Sequence, residues 1–99
     1  MKPATELITE ERQRQIEVEG WTPEHDDAHT NGELSLAAAS YALAKHHRNI
    51  YKPEFEFVGT GKIWPFAKSW WKPTPENRVR ELIKAGALIA AEIDRLQRA

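Results

Sequence analysis

The strongest constraint on the fold is an apolar repeat in the last quarter of the chain. Apolar residues recur there at steps of three and four, which is the period of one helix face. Thr74, Pro75 and Glu76 precede the repeat and form a helix-start signature, because threonine caps and proline has no amide to leave unpaired. We therefore predict a long helix over about 75–97. The repeat consists of Val79, Leu82, Ile83, Gly86, Ala87, Ile89, Ala90, Ile93 and Leu96.

Two shorter helices are predicted before the long one. The first covers about 9–19, begins at Thr9 and has few apolar residues. The second covers about 32–47, with Asn31 as its cap, and its alanines let another helix approach closely. We expect it to pack against the last helix, whose charged side chains, Glu81 among them, should mostly face water. The small residues expected at this contact are Ala38, Ala42, Gly86 and Ala90.

A long excursion, about 49–74, separates the second helix from the last. It is rich in proline and holds three of the chain's four tryptophans. We expect it to pack over the helices with Trp64 or Trp70 buried, and Trp71 less often inward, since adjacent side chains rarely both point inward. Residues 54–58 alternate like a strand, but no second strand is evident, so we predict no sheet.

Length and composition bound the fold and exclude several functions. Ninety-nine residues fit one domain with one modest core, so we predict a single all-α domain over 1–99 with three main helices. A net charge of −1 argues against duplex DNA as a partner. The chain has no cysteine, so a metal would need His, Asp or Glu ligands. No apolar run suits a membrane span, and we expect a cytoplasmic protein.

The turn after the first helix is rich in histidine and aspartate. Gly20 suits the left-handed residue at a helix end, and Thr22 caps a short following turn. If that turn is helical, His25 and His29 lie on one side with Asp26 beside them, a spacing that suits a divalent cation. The alternative is a solvated acidic turn whose aspartates cap the next helix. The residues leave both interpretations open.

A set of segments that spans almost the whole chain consists of 11–15, 19–27, 32–34 with the alanine run to 42, 64–65, 70–73 and 84–93. In this order they resemble a family of small proteins encoded by phages and prophages. The resemblance implies a phage origin and a place in the host cytoplasm. That family is described mainly by its sequence, so no named activity is implied.

Three acidic segments are similar in their order to those of MazG-like helical nucleotide pyrophosphohydrolases. They are 11–27, 33–34 and 80–82. Such enzymes hold magnesium against a triphosphate with carboxylates on two neighbouring helices. The resemblance implies magnesium or manganese here, with His25 or His29 as base. The chain departs from the family pattern because it lacks the paired carboxylates on both helices. The implied metal ligands are Asp26, Asp27, Glu33 and Glu81.

Three functions follow from these patterns. We favour a phage accessory protein that binds a small nucleotide-like or anionic ligand, or a host protein, without turning it over. The alternatives are a metal-dependent nucleotide pyrophosphohydrolase and a homodimeric interaction module. The first needs aromatic stacking surfaces and cationic partners for phosphate. The candidate ligand-binding residues are Trp21, His25, Asp26, Asp27, His29, Glu33, Lys68, Trp71 and Lys72.

Helix direction decides between binding and hydrolysis. If the last two long helices are antiparallel, Glu92 rather than Glu81 lies near Glu33. The eleven residues between Glu81 and Glu92 correspond to about 16 Å along a helix, too far for shared metal ligands. A parallel pair would bring Glu33 and Glu81 together. We predict a binding pocket formed by the turn over 21–33 and the aromatic excursion.

Overall fold

The computed structural model describes residues 1–44 and 64–99, and these contain helices and no strand. The elements in order are α1 (Ala4–Glu17), α2 (Pro23–Asp27), α3 (Glu33–Ala42), a 3-10 turn over Lys68–Trp70, and α4 (Arg78–Arg98). The prediction of a helical fold is confirmed, with α2 as a short additional helix. Residues 45–47 of the predicted second helix and the strand-like 54–58 lie outside the described residues.

Helix α4 is the element against which α1, α2 and α3 pack. Its first residue, Arg78, donates hydrogen bonds to carbonyls at the end of α3. Near its other end, Arg98 donates to the carboxylate of Asp27, at 2.8 Å, just before α3 begins. Helices α3 and α4 are therefore antiparallel. The carbonyls that accept from Arg78 belong to Tyr41, Ala42 and Leu43.

Small side chains form the contact between α3 and α4, as predicted, but not all the predicted ones. An added Cβ on Gly86 would lie 2.6 Å from Cδ1 of Ile8, so Gly86 faces α1 and not α3. Ala42 is exposed. The placement of Gly86 was wrong because α3 covers a neighbouring strip of α4, about 100° around the helix for each residue step. The placement of Ala42 was wrong because this last residue of α3 is open to solvent. The core consists of Leu34, Ala37, Ala38, Tyr41, Trp64, Ala85, Leu88 and Ala91.

Several charged or polar side chains lie inside the fold. Glu81 was expected to face water but is fully buried. Its carboxylate accepts hydrogen bonds from the Thr74 amide and the Arg78 guanidinium, both at 3.1 Å. These charge-assisted hydrogen bonds offset the cost of removing the carboxylate from water. The other buried polar side chains are Glu11, Gln15, Asp26 and Ser40.

The apolar repeat of α4 is largely exposed, although a repeat of this kind usually faces the core. Five of its large side chains keep between 47% and 62% of their surface accessible. Ile8 of α1 approaches α4 at Gly86, and the large side chains before and after that point remain exposed. The outer stripe, as we call it, consists of Val79, Leu82, Ile89, Ile93 and Leu96.

Three helix starts differ from their predicted positions. Helix α1 begins five residues earlier than predicted, and the Thr9 hydroxyl donates to the Thr5 carbonyl inside it. Helix α3 has no side-chain cap from Asn31; instead the Asn31 amide donates to the Glu33 carboxylate at 2.6 Å. Helix α4 begins three residues later than predicted, capped by the side chain of Asn77. Polar residues near a start indicate its neighbourhood rather than its first residue.

Candidate functional site

A left-handed glycine places the first aromatic wall of the site. Gly20 has φ +77°, as predicted, and turns the chain at the end of α1. The next residue, Trp21, donates its amide to the Gln15 carbonyl at 3.0 Å and packs against the core. The Thr22 hydroxyl accepts from the His25 amide at 3.3 Å, which confirms the predicted cap of α2. The turn therefore presents Trp21 and His25 together.

The tryptophans of the aromatic segment divide between the core and the surface. Trp64 is buried edge-to-face against Tyr41, with ring centroids 5.6 Å apart. Trp71 lies 4.8 Å from Tyr41 and 4.9 Å from Trp64, so it packs inward. The prediction that Trp71 points inward less often than Trp70 was wrong. The 3-10 turn separates the two adjacent side chains, and Trp70 is exposed.

Trp70 forms the second aromatic wall. Its ring lies 6.2 Å from Trp21, 5.5 Å from Phe66 and 6.4 Å from His25. His25 in turn stacks on Trp21 at 5.8 Å, with the planes only 11° apart. The residues around 21–25 and the aromatic segment thus meet through their rings.

A cavity of about 220 Å³ opens where these two segments meet. Its walls are the rings of Trp21, His25 and Trp70, and the charged groups of Glu19 and Lys72 complete the lining. A shallow cleft with several of the same lining residues leads from it toward α4. The site therefore combines flat apolar walls with one acidic and one basic group.

The charges behind the cavity form a connected set. Glu19 accepts a hydrogen bond from Arg14 at 3.1 Å and lies 3.9 Å from the Lys72 ammonium. Lys84 donates to the Lys72 carbonyl at 2.9 Å, and its ammonium lies over the ring of Tyr41. Burial lowers the pKa of Lys84, and the nearby Arg80 adds to the effect. Cations therefore outnumber anions along the cleft from Lys72 to α4.

Glu11 anchors this set from inside α1. Its carboxylate pairs with Arg14 at 2.8 Å and with Arg80 of α4 at 2.7 Å. Burial alone would raise the pKa of Glu11, but hydrogen bonds from Arg14 and Arg80 outweigh it and lower the pKa. Glu11 thus carries a charge that ties α1 to α4.

A chain of polar contacts connects α2 to the start of α3. Asp26 is fully buried and pairs with the Arg12 guanidinium. His25 Nδ1 lies 3.3 Å from the Asp26 carboxylate, and His25 Nε2 lies 3.4 Å from His29 Nε2. His29 Nδ1 lies 3.5 Å from the Glu33 carboxylate. Both imidazoles are therefore held between two carboxylates.

The four carboxylates implied as magnesium ligands do not converge. Helices α3 and α4 are antiparallel, so Glu33, at the start of α3, lies toward the end of α4. Glu81 lies near the start of α4, where it pairs with Arg78. Asp27 pairs with Arg98 instead. In the part of the chain that the structure describes, no group of three or more His, Asp and Glu side chains is placed to hold a metal ion.

Some lining residues were not predicted from the sequence. Glu19, Arg14 and Lys84 line the cavity or its cleft, but their positions in charged helical segments gave no distinguishing signal. The Lys68 side chain lies outside what the structure describes, and Trp71 lies behind the cavity in the core cluster. Of the predicted ligand-binding residues, the cavity brings together Trp21, His25 and Lys72.

Comparisons with family models, curated proteins and solved structures gave no match. Among residues 1–44 and 64–99, no helix is both long and apolar enough to cross a lipid bilayer.

Proposed function

We propose that this chain is a non-catalytic binding protein, and that its ligand is a flat ring carrying an anionic group, as in a nucleotide. The observation that carries the proposal is the cavity with Trp21 and Trp70 as walls and Lys72 in its lining. Flat rings stack on tryptophan with useful affinity, whatever their substituents. The resemblance to phage proteins adds a setting, in which the chain would be an accessory protein in the host cytoplasm.

The cavity size limits what the ligand can place inside. An apolar cavity of about 150 Å³ is enough for benzene, whereas drug-sized ligands need about 300 Å³ or more. At about 220 Å³, the space suits one heteroaromatic ring. A nucleotide would therefore place its base against the rings that line the cavity and leave its phosphate outside.

The charges support an anionic group at the mouth. Lys72 is exposed, and Lys84 extends the positive charge along the cleft. The carboxylates of Glu19 and Glu11 are paired with Arg14, and Glu11 is also paired with Arg80. A phosphate next to Lys72 would gain a charge-assisted hydrogen bond there.

Binding without turnover is favoured by the spread of the carboxylates. Hydrolysis of a triphosphate needs carboxylates that converge on the metal ions, whereas Glu81 is tied to Arg78 far from Glu33. The acidic groups nearest the cavity are engaged by arginines.

The test is a titration of the whole chain with the four ribonucleoside monophosphates in a chelator, followed by tryptophan fluorescence. We expect saturable quenching that Trp70→Ala abolishes and Lys72→Ala weakens by about tenfold. Lys2→Ala is the matched control, because Lys2 is also an exposed lysine with one ion pair. Inorganic phosphate alone should give no quenching. Equal quenching of the Trp70→Ala variant would contradict the proposal.

A second candidate is a homodimer formed through the outer stripe of α4. Ile89, Ile93 and Leu96 follow steps of four and three beyond Gly86, which is the seam spacing of a two-helix coiled coil. A second copy would cover the same stripe on both subunits, as two-fold symmetry requires. Sedimentation velocity from low to high micromolar concentration should show a dimer that Ile93→Glu dissociates and Ser35→Glu, on α3, does not. A strict monomer at every concentration would eliminate the dimer.

A further inference from the structure

We propose that His25 and His29 form a two-histidine site for a divalent transition-metal ion of the zinc, nickel or copper class. The inference depends on the contacts of the two imidazoles and is independent of the proposed nucleotide-like ligand. It also differs from the magnesium set implied by resemblance, because its ligands are nitrogen atoms.

The first support is the distance between the two nitrogens. His25 Nε2 and His29 Nε2 lie 3.4 Å apart. A tetrahedral zinc ion with Zn–N bonds of about 2.0–2.1 Å places two of its ligand nitrogens about 3.4 Å apart. The two rings are therefore spaced as one edge of a zinc tetrahedron.

The second support is the orientation of each ring. Asp26 lies 3.3 Å from Nδ1 of His25, and Glu33 lies 3.5 Å from Nδ1 of His29. A carboxylate at Nδ1 keeps the proton there and leaves Nε2 as the electron-pair donor, as in carboxylate–histidine–metal sites. The Asn31 amide also donates to the Glu33 carboxylate at 2.6 Å, which holds this carboxylate beside His29.

The two imidazoles are also held in place by their neighbours, with their Nε2 atoms 3.4 Å apart. The rings cannot relax easily, because Trp21 stacks on His25 and Phe66 packs edge-on against His29 at 5.1 Å. Asp26 is fixed in turn by Arg12. The pair is thus organised before a metal binds.

The third support is access and ligand type. The side chains of His25 and His29 are 23% and 22% exposed, so an ion can reach them from solvent. Two imidazole nitrogens favour zinc, nickel or copper over magnesium and calcium, which prefer oxygen. Water would complete the coordination. Because His25 also lines the cavity, the metal would lie beside the bound ring.

The test is calorimetric titration of the full chain with Zn²⁺ and Ni²⁺, with Mg²⁺ at the same concentrations. We expect one Zn²⁺ per chain and no heat of binding with Mg²⁺. His25→Ala or His29→Ala should weaken Zn²⁺ binding by at least about tenfold, since each removes one of two protein ligands. Glu33→Gln should weaken it by about tenfold through the orientation of His29.

The matched control is the double variant His46→Ala/His47→Ala, which removes the other two histidines of the chain. It should bind Zn²⁺ like the wild type. Loss of binding in this variant, retention in the variants at positions 25 and 29, or equal binding of Mg²⁺ would each overturn the proposal. If an alanine variant does not fold, ¹⁵N NMR of the wild-type imidazoles decides. Zn²⁺ should shift the Nε2 signals of His25 and His29, and unchanged signals would refute the site.

Discussion

On α4, the buried face carries mostly small side chains and a carboxylate, whereas the exposed face carries large apolar side chains. The face against α3 carries alanines, Leu88 and the fully buried Glu81, whereas the outer stripe carries larger aliphatic side chains that remain about half exposed. Small side chains let α3 approach closely, and close approach buries whatever lies between the helices. Contact distance, rather than side-chain hydrophobicity, therefore determines which face of α4 is inside.

The largest expected effect tests the polar part of the inner face. Glu81→Ala removes a buried carboxylate from the Thr74 amide and from Arg78, and we expect a loss of about 3–5 kcal/mol in the free energy of unfolding. Asp94→Ala, an exposed acidic residue on the same helix, should change it by less than about 0.5 kcal/mol. Urea denaturation measures both. Equal losses of unfolding free energy in the two variants would contradict the distinction between the two faces of α4.

A neighbouring pair tests the apolar parts of the two faces. Leu88 is 0% exposed and Ile89 is 49% exposed. Leu88→Ala should therefore cost about 2–5 kcal/mol, and Ile89→Ala about 1 kcal/mol or less, since half of its side chain already meets water. A cost for Ile89→Ala that grows with protein concentration would show that a second copy covers the outer stripe.

Gly86 lies at the border between the outer stripe and α1 and should give a smaller effect. Gly86→Ala gains about 1 kcal/mol of helix propensity, but its new methyl must displace the flexible end of Ile8. We expect the two terms nearly to cancel in the wild type. In an Ile8→Ala background, Gly86→Ala should stabilise by about 1 kcal/mol. Thermal unfolding of the four proteins measures this. The same effect of Gly86→Ala in both backgrounds would contradict the contact between Gly86 and Ile8.

The smallest expected effect is the pH dependence of the contact between α1 and α4. The pKa of Glu11 lies below its ordinary value of 4.5, so its contribution to stability is complete above that pH. It is lost as the pH falls through the lower pKa of the folded chain. Glu11→Gln should therefore unfold more easily at neutral pH and lose less stability below about pH 4.5. The exposed Glu10→Gln is the control, and identical profiles would contradict the assignment.

The helices were predictable from the sequence, but the covered side of α4 was not. A three- and four-residue period indicates a helix, and the prediction of α4 depended on that period and on the start signature at 74–76. Whether Leu82 or Leu88 lies inside depends on where α3 and α1 pack, which the period does not contain. Glu81 illustrates the same limit, because its burial depends on Arg78 and Thr74 as partners.

The segments of the candidate site were predictable, and its lining only partly. Proline, histidine and aspartate in the turn, and clustered tryptophans in the excursion, indicated two unusual segments, and the cavity lies where they meet. The choice between Trp70 and Trp71 was made wrongly, since a single 3-10 turn determines which of the two faces solvent. The ligand of the cavity stays a prediction.

Arg78 couples local unfolding at the start of α4 to local unfolding at the end of α3. Its guanidinium accounts for carbonyls that the last turn of α3 would otherwise offer to water, so the end of one helix is completed by the beginning of another. Fraying at the start of α4 would release the end of α3 in the same event. Tyr41 lies in that last turn and contacts Trp64 and Trp71. The two helix ends and the base of the aromatic cluster therefore form one cooperative unit of local unfolding.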